Sequence, residues 1–285
     1  MMTSDAPADP VDPADTAHPG GIPVGVDFAH ALGVSDAART LHTQGAPEQV
    51  WDLASVSKPI AALGALVAVE RGLLELDEPA GPEGATVRHL LAHTAGYPFE
   101  GEEPVAAPGA RRIYSNTGFE VLAAHLEEAT GYDYAEWMEQ TVVAGLGMVD
   151  LDVTGSPAAG YRGSIRDLLA VGRELLEPTL ISRDLWEQAR RVQFEGLAGI
   201  LPGYGRQKPN DWGLGVEIRG NKDPHWTGSG SSPRTVGHFG QSGSFLWADP
   251  ERGLTAAFLG DRPFGEDHVR VWPGVTDAIL ERFGC

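Results

Sequence analysis

The stretch 52-DLASVSKPIAALGALVAVERG-72 decides how this chain is read. Ser55 and Lys58 stand three residues apart at the head of an apolar run. Ile60, Leu63, Leu66 and Val67 fall near a 3.6-residue period and Gly72 closes the run, which predicts a helix from Ser55 to Arg71. Pro59 falls in the first turn, where its missing N–H costs little. Residues i and i+3 share a helix face, so Ser55 and Lys58 are expected side by side. A serine hydroxyl is a weak nucleophile until a base takes its proton, and a lysine kept partly neutral by burial can be that base. The free amides and positive dipole end of a helix N-terminus suit a developing oxyanion. A capped helix with a stray charge explains the same residues. Thirteen serines and three lysines in 285 positions give a chance S-x-x-K match of about one in seven. The context is less ordinary: the dipole disfavours a cation there, and a proline and an apolar face follow.

Two distant stretches bear on Ser55. In ARRIYSNTGFE, Tyr114 can relay a proton beside a lysine, and Asn116 can hydrogen-bond Lys58 and a substrate carbonyl. In TVGHFGQSGSFLWADPERGL, His238 stands at the entry to an apolar strand, where it could orient the tyrosine or contact a carboxylate. Gly240 there would let a ligand approach the backbone. Each is weak alone, since a half-buried tyrosine and a lone histidine are usually structural. His89 and His93 are four apart, but their helix is short and no acidic third ligand is near, so no metal site is expected. Phosphate-loop, dinucleotide, H-E-x-x-H and strict G-x-S-x-G signatures are absent from the sequence.

Composition narrows the classes. With 42% hydrophobic residues the chain is globular. A net charge of −19 with 21 basic residues makes nucleic acid and anionic membrane surfaces poor partners. The single cysteine, Cys285, rules out an internal disulfide and a cysteine-based metal or redox pair. Residues 1–21, rich in Pro, Asp and Ala, read as a disordered acidic tail without the basic and apolar regions of a secretory signal. No apolar run is long enough to span a bilayer, so a cytoplasmic location is the expectation.

Short strands are expected in GVDFAHALG, RTLHTQG and QVWDLAS, and again in WGLGVEI, SFLWADP and LTAAFLGD, the last two joined by a turn at Arg252–Gly253. Between them lie helical patterns near 86–96, from Thr117 (with capping-box spacing to Glu120), and over Tyr134–Val143, Ile165–Leu176 and Arg183–Val192. A helix in VWPGVTDAILERFG closes the chain. The order implies an α+β fold, an antiparallel sheet built from both chain ends with a helical region inserted. The α/β part covers about 22–75 and 205–285, the helical part about 76–204.

Ser55-x-x-Lys58, Tyr114-x-Asn116 and His238-x-Gly240 together resemble the serine β-lactamase and penicillin-binding-protein superfamily. The Y-x-N form resembles its class C branch, which also holds D-alanyl-D-alanine carboxypeptidases, D-amino-acid amidases, family VIII carboxylesterases and 6-aminohexanoate-dimer hydrolases. RGLLELDEP, TVRHLLAHTAGYP, GLGM and LWADPERGL extend the likeness over about 45–280. The resemblance implies that Ser55 forms an acyl-enzyme, Lys58 and Tyr114 act as coupled base and acid, and Asn116 holds Lys58 and substrate. It implies an oxyanion hole from the amides of Ser55 and Gln241, and no cofactor. Gly240, Trp226 and Arg234 are the candidate substrate contacts. Where β-lactamases carry Lys-Thr-Gly this chain has His-Phe-Gly, and histidine holds a carboxylate only when protonated. Small carboxylic esters are therefore the expected substrates, with amides, D-alanyl peptides or slow β-lactam turnover as the alternative. Oligomeric state is not legible.

Overall fold

The computed structural model describes residues 21–284. The N-terminal tail expected up to residue 21 and the lone Cys285 thus lie almost wholly outside the described residues. A six-stranded antiparallel sheet takes β1 (His30–Ser35) and β2 (Thr40–Gln44) from the start of the chain. It takes β7 (Glu217–Ile218), β8 (Val236–Gly240), β9 (Ser244–Asp249) and β10 (Leu254–Gly260) from the end, in the order β2-β1-β10-β9-β8-β7. The two ends meet where β1 pairs with β10, from His30 opposite Gly260 to Ser35 opposite Thr255. The β9–β10 hairpin turns over residues 250–253, where the Asp249 carboxylate accepts the amides of Glu251 and Arg252. Two small two-stranded sheets stand apart: the distant strands β3 (Trp51–Asp52) and β4 (Arg162–Gly163), and the hairpin of β5 (Gly199–Leu201) with β6 (Gly205–Gln207).

Side chains alternate across a strand, and the sheet uses both faces. Leu32, Val34, Phe245, Trp247 and Phe258 pack with Trp272, Val275 and Ile279 of the last helix, α7 (Glu266–Phe283). Ala31, Leu246, Ala257 and Leu259 face the other way, toward α1 (Ser57–Glu70) and α5 (Ile165–Leu176). The helical region adds α2 (Val87–Leu91), α3 (Thr117–Thr130), α4 (Tyr134–Met138) and α6 (Arg183–Ala189), with a π turn over Glu139–Val143 after α4. α5 falls inside the 76–204 span assigned to the helical part, yet it packs on β1, β9 and β10.

Several expectations change in detail. α1 is buried all round from Ser57 to Ala68 rather than on one face, as befits a central helix. Its small residues permit this: Met138 Sδ fills the space beside Gly64, and Ala62 that beside Gly215. The Thr117–Glu120 capping box does not form, because Thr117 Oγ1 accepts the amide of Gly101 instead. WGLGVEI contributes only Glu217–Ile218 to a strand, and α7 begins five residues before Val271, with Pro273 inside it. Among the described residues no helix is long and apolar enough to cross a membrane.

Candidate active site

Ser55 is not in the first turn of α1. It lies in a 3-10 turn, Ala54–Val56, immediately before it. Ala54 has φ of 45°, a left-handed conformation that costs a non-glycine residue free energy and persists only where surroundings impose it. They do so on every side. Leu53 donates its amide to Tyr161 O (2.9 Å), Ser244 Oγ donates to Leu53 O (2.8 Å), and Ser57 Oγ donates to Ala54 O (2.6 Å).

Gly240 belongs to this clamp. A Cβ there would lie 2.5 Å from both Leu53 O and Ser244 Oγ and 3.1 Å from Ala54 Cβ. The glycine therefore admits the Leu53–Ala54 turn that carries Ser55, and it is not among the residues that line the pocket Ser55 faces. Gly240→Ala is expected to shift Ser55 and lower kcat by about 10²-fold with little change in KM, read by steady-state kinetics.

Lys58 is fully buried beneath Ser55. Its Nζ lies 2.7 Å from Asn116 Oδ1, 2.7 Å from Ala158 O and 3.3 Å from Ser55 Oγ, and 4.6 Å over the Tyr114 ring. Burial pushes its pKa down to about 7, against the carboxylate of Glu120, which raises it. A neutral amine has two N–H bonds and one lone pair. Asn116 Oδ1 and Ala158 O can only accept there, so they take both N–H bonds and the lone pair is left for the Ser55 hydroxyl.

The tyrosine is set by the histidine. His238 Nδ1 lies 2.6 Å from the Phe239 carbonyl, which can only accept, so Nδ1 carries the proton. Nε2 must then accept, and it lies 3.2 Å from the Tyr114 hydroxyl. Tyr114 thus donates to His238, with Ser55 beside it. Burial raises the Tyr114 pKa well above its ordinary value, so the group is a phenol and not a phenolate. Burial, with the nearby positive charge of Lys58, pushes the His238 pKa down to about 3, so the imidazole is neutral at neutral pH.

The structure gathers Ser55, Lys58, Tyr114, Asn116 and His238 at one place, with Ser55, Tyr114, His238 and Gln241 facing a pocket of about 960 Å³. It does not bring Trp226 or Arg234 there. Trp226 is 1% exposed, packed on Phe239 and Phe245, and its Nε1 donates to Glu217 Oε2 (2.6 Å). Glu217 is held ionised by Lys222 and His225 although burial opposes the charge. Arg234 is exposed and faces Glu187 at 3.6 Å. His89 and His93 also serve locally: His89 Nδ1 meets Thr86 Oγ1 at 2.8 Å, and His93 Nδ1 accepts the amide of Ser115 at 3.2 Å.

The pocket wall includes Phe99, Arg111, Trp212 and Arg206, none singled out from the sequence although they lie in the loops 97–112 and 200–235 expected to set selectivity, and Leu197–Gly199, which lie outside those loops. Sequence reasoning missed Ala158, whose contribution is a backbone carbonyl and leaves no side-chain signal.

The family model described as Beta-lactamase matches residues 25–279. The chain belongs to the β-lactamase family. A beta-lactamase from Mycobacterium bovis is 46% identical in sequence with a TM-score of 0.89, over 90% of this chain and 96% of that one. Penicillin-binding protein 4* of Bacillus subtilis is 30% identical over 42% of this chain and 34% of its own length. A D-alanyl-D-alanine-carboxypeptidase/endopeptidase of Escherichia coli is 27% identical over 39% of this chain and 38% of its own. The chain thus spans between a third and two fifths of the length of these curated relatives. The mixed helix and antiparallel-sheet architecture is that of the β-lactamase and transpeptidase fold, and family and relatives support a serine hydrolase.

Proposed function

We propose that this β-lactamase-family protein hydrolyses small carboxylic esters through an acyl-enzyme on Ser55. The observation that carries the reading is the Lys58 contact set, which leaves a lone pair aimed at the Ser55 hydroxyl. Ser55 Oγ attacks the carbonyl carbon as its proton passes to Lys58 Nζ. The oxyanion that forms is received by the amides of Ser55 and Gln241. Collapse breaks the bond to the alcohol oxygen, which takes a proton from the Tyr114 hydroxyl, turned from His238 Nε2. Lys58 returns its proton to Tyr114, and a water attacks the acyl-enzyme by the same sequence, freeing the acid and Ser55.

The choice of esters rests on His238. β-Lactams present a carboxylate, and a neutral imidazole engaged by Tyr114 and Phe239 O offers no fixed charge for it at this strand. The relatives named as penicillin-binding protein and D-alanyl-D-alanine-carboxypeptidase favour a second reading, an amide hydrolase: a D-amino-acid amidase, a DD-peptidase or a weak β-lactamase. A panel of p-nitrophenyl acyl esters, nitrocefin and D-alanyl-D-alanine peptides separates the two. Esters are expected to exceed the others in kcat/KM by about 10²-fold or more. Faster turnover of nitrocefin or the peptides would overturn the ester reading.

A further inference from the structure

The pocket is mostly apolar, walled by Phe99, Ile113, Leu201, Trp212 and Phe239. Its rim also carries exposed apolar surface, Phe99 at 52% and Ile200 at 62%. Two cations stand out in that setting. Arg111 and Arg206 line the pocket and are exposed. They come from different segments that the fold brings together. The space beside Gly199 of β5 opens onto Arg112 O, at 3.2 Å from a Cβ there, so β5 runs next to the 111–112 backbone. Arg206 stands on β6, paired across the hairpin with Ile200.

In a chain with 40 acidic residues, exposed arginines readily find carboxylates, as Arg162, Arg166, Arg183 and Arg270 do. Among the described residues no carboxylate lies within ion-pair distance of Arg111 or Arg206. Glu217, the acidic residue of the pocket wall, is already paired with Lys222 at 3.0 Å and His225 at 3.2 Å. Glu100, Glu102 and Glu103 share the 97–112 loop with Arg111 without pairing to it. Two arginines without a carboxylate partner lining one mostly apolar pocket suit an anion attached to an apolar body.

We propose that the substrate carries an anionic group, carboxylate or phosphate, remote from the scissile carbonyl and held by Arg111 and Arg206. This rests on the hydrolase reading above and deepens it. It places the substrate's charge on the exposed arginines and not on the buried, neutral His238. The anion belongs to either the acyl chain or the alcohol, and two matched ester pairs distinguish these sources. Mono-p-nitrophenyl glutarate against p-nitrophenyl valerate probes the acyl side, and 3-acetoxybenzoate against phenyl acetate the alcohol side.

The readout is the ratio of kcat/KM for the charged over the neutral member, so any general loss of activity cancels. In at least one pair the charged member is expected to lead by about tenfold at low salt, and the lead to shrink as salt rises. Arg111→Ala/Arg206→Ala should bring that ratio to about one, while the paired lysine substitutions keep most of it. Charged members no faster than their mates in both pairs, or a preference that survives the double alanine variant, would overturn the proposal. Absence of all ester turnover, with no fluorophosphonate label on Ser55, would instead overturn the hydrolase reading and this inference with it.

Discussion

Ser55→Ala is expected to lower kcat on the best ester by on the order of 10⁴-fold or more while the protein stays folded. The loss follows from chemistry: no acyl-enzyme can form on Ser55, and among the described residues no other hydroxyl is in hydrogen-bond contact with Lys58 Nζ. The fold survives because the turn is held by backbone and neighbours, through Leu53 O, Ala54 O and the amide of Leu53, and none of these bonds uses Ser55 Oγ. Intact-mass labelling with a fluorophosphonate checks the first half and thermal unfolding the second. Wild-type turnover in Ser55→Ala would show that the nucleophile is elsewhere.

Lys58→Arg is expected to cost about 10³-fold in kcat/KM, because a guanidinium does not give up its proton at usable pH. Lys58→Met, close in volume and without charge, should be equally inactive and controls for the strain of a larger buried cation. The wild-type pH profile carries the sharper test. The base works when neutral, so activity should rise with pH through about 7, the value to which burial lowers Lys58, and the lysine variants should lose that limb. His238 should add no inflection near its ordinary value, since burial holds it neutral down to about 3.

The same shift has a stability consequence of definite sign. Unfolded, Lys58 holds its proton up to its ordinary 10.5, whereas folded it releases it near 7. Between these values the unfolded chain binds more protons, so the Lys58 contribution to stability rises with pH across that window. Below about 7 the residue is charged in both states and the full penalty of burying it remains.

The catalytic centre was more legible than its surroundings, for a physical reason. Ser55 and Lys58 are bound by local spacing, and Tyr114, Asn116 and His238 by motifs whose side chains carry the chemistry. The same local logic predicted β9, β10 and α5. It failed where a residue's task is set by what packs on it from far along the chain. Gly240 reads as room for a ligand, but Leu53 and Ser244 fill that room. Trp226 reads as an aromatic wall, but Glu217 claims its indole N–H. Thr117 and Glu120 have capping spacing, but Gly101 takes the threonine. The β5–β6 hairpin has three residues a side, too few for alternation to register as strands.

The pairing of β1 with β10 bears on how the protein is made. His30 meets Gly260 only after the intervening 229 residues of chain have emerged, and the turn that carries Ser55 waits for Gly240 and Ser244. At about 5–20 residues per second, roughly 10 to 50 seconds of synthesis separate β1 from its partner strand. Contacts so distant in sequence slow folding, while α1 through α6 can collapse together early around local contacts. Over that interval the nascent β1–β2 hairpin has an unpaired edge and an uncovered apolar face of Leu32 and Val34, the kind of surface chaperones bind. An abortive product that ends before β8 would carry Ser55 and Lys58 without the strand that clamps their turn, so premature termination yields no partly competent hydrolase.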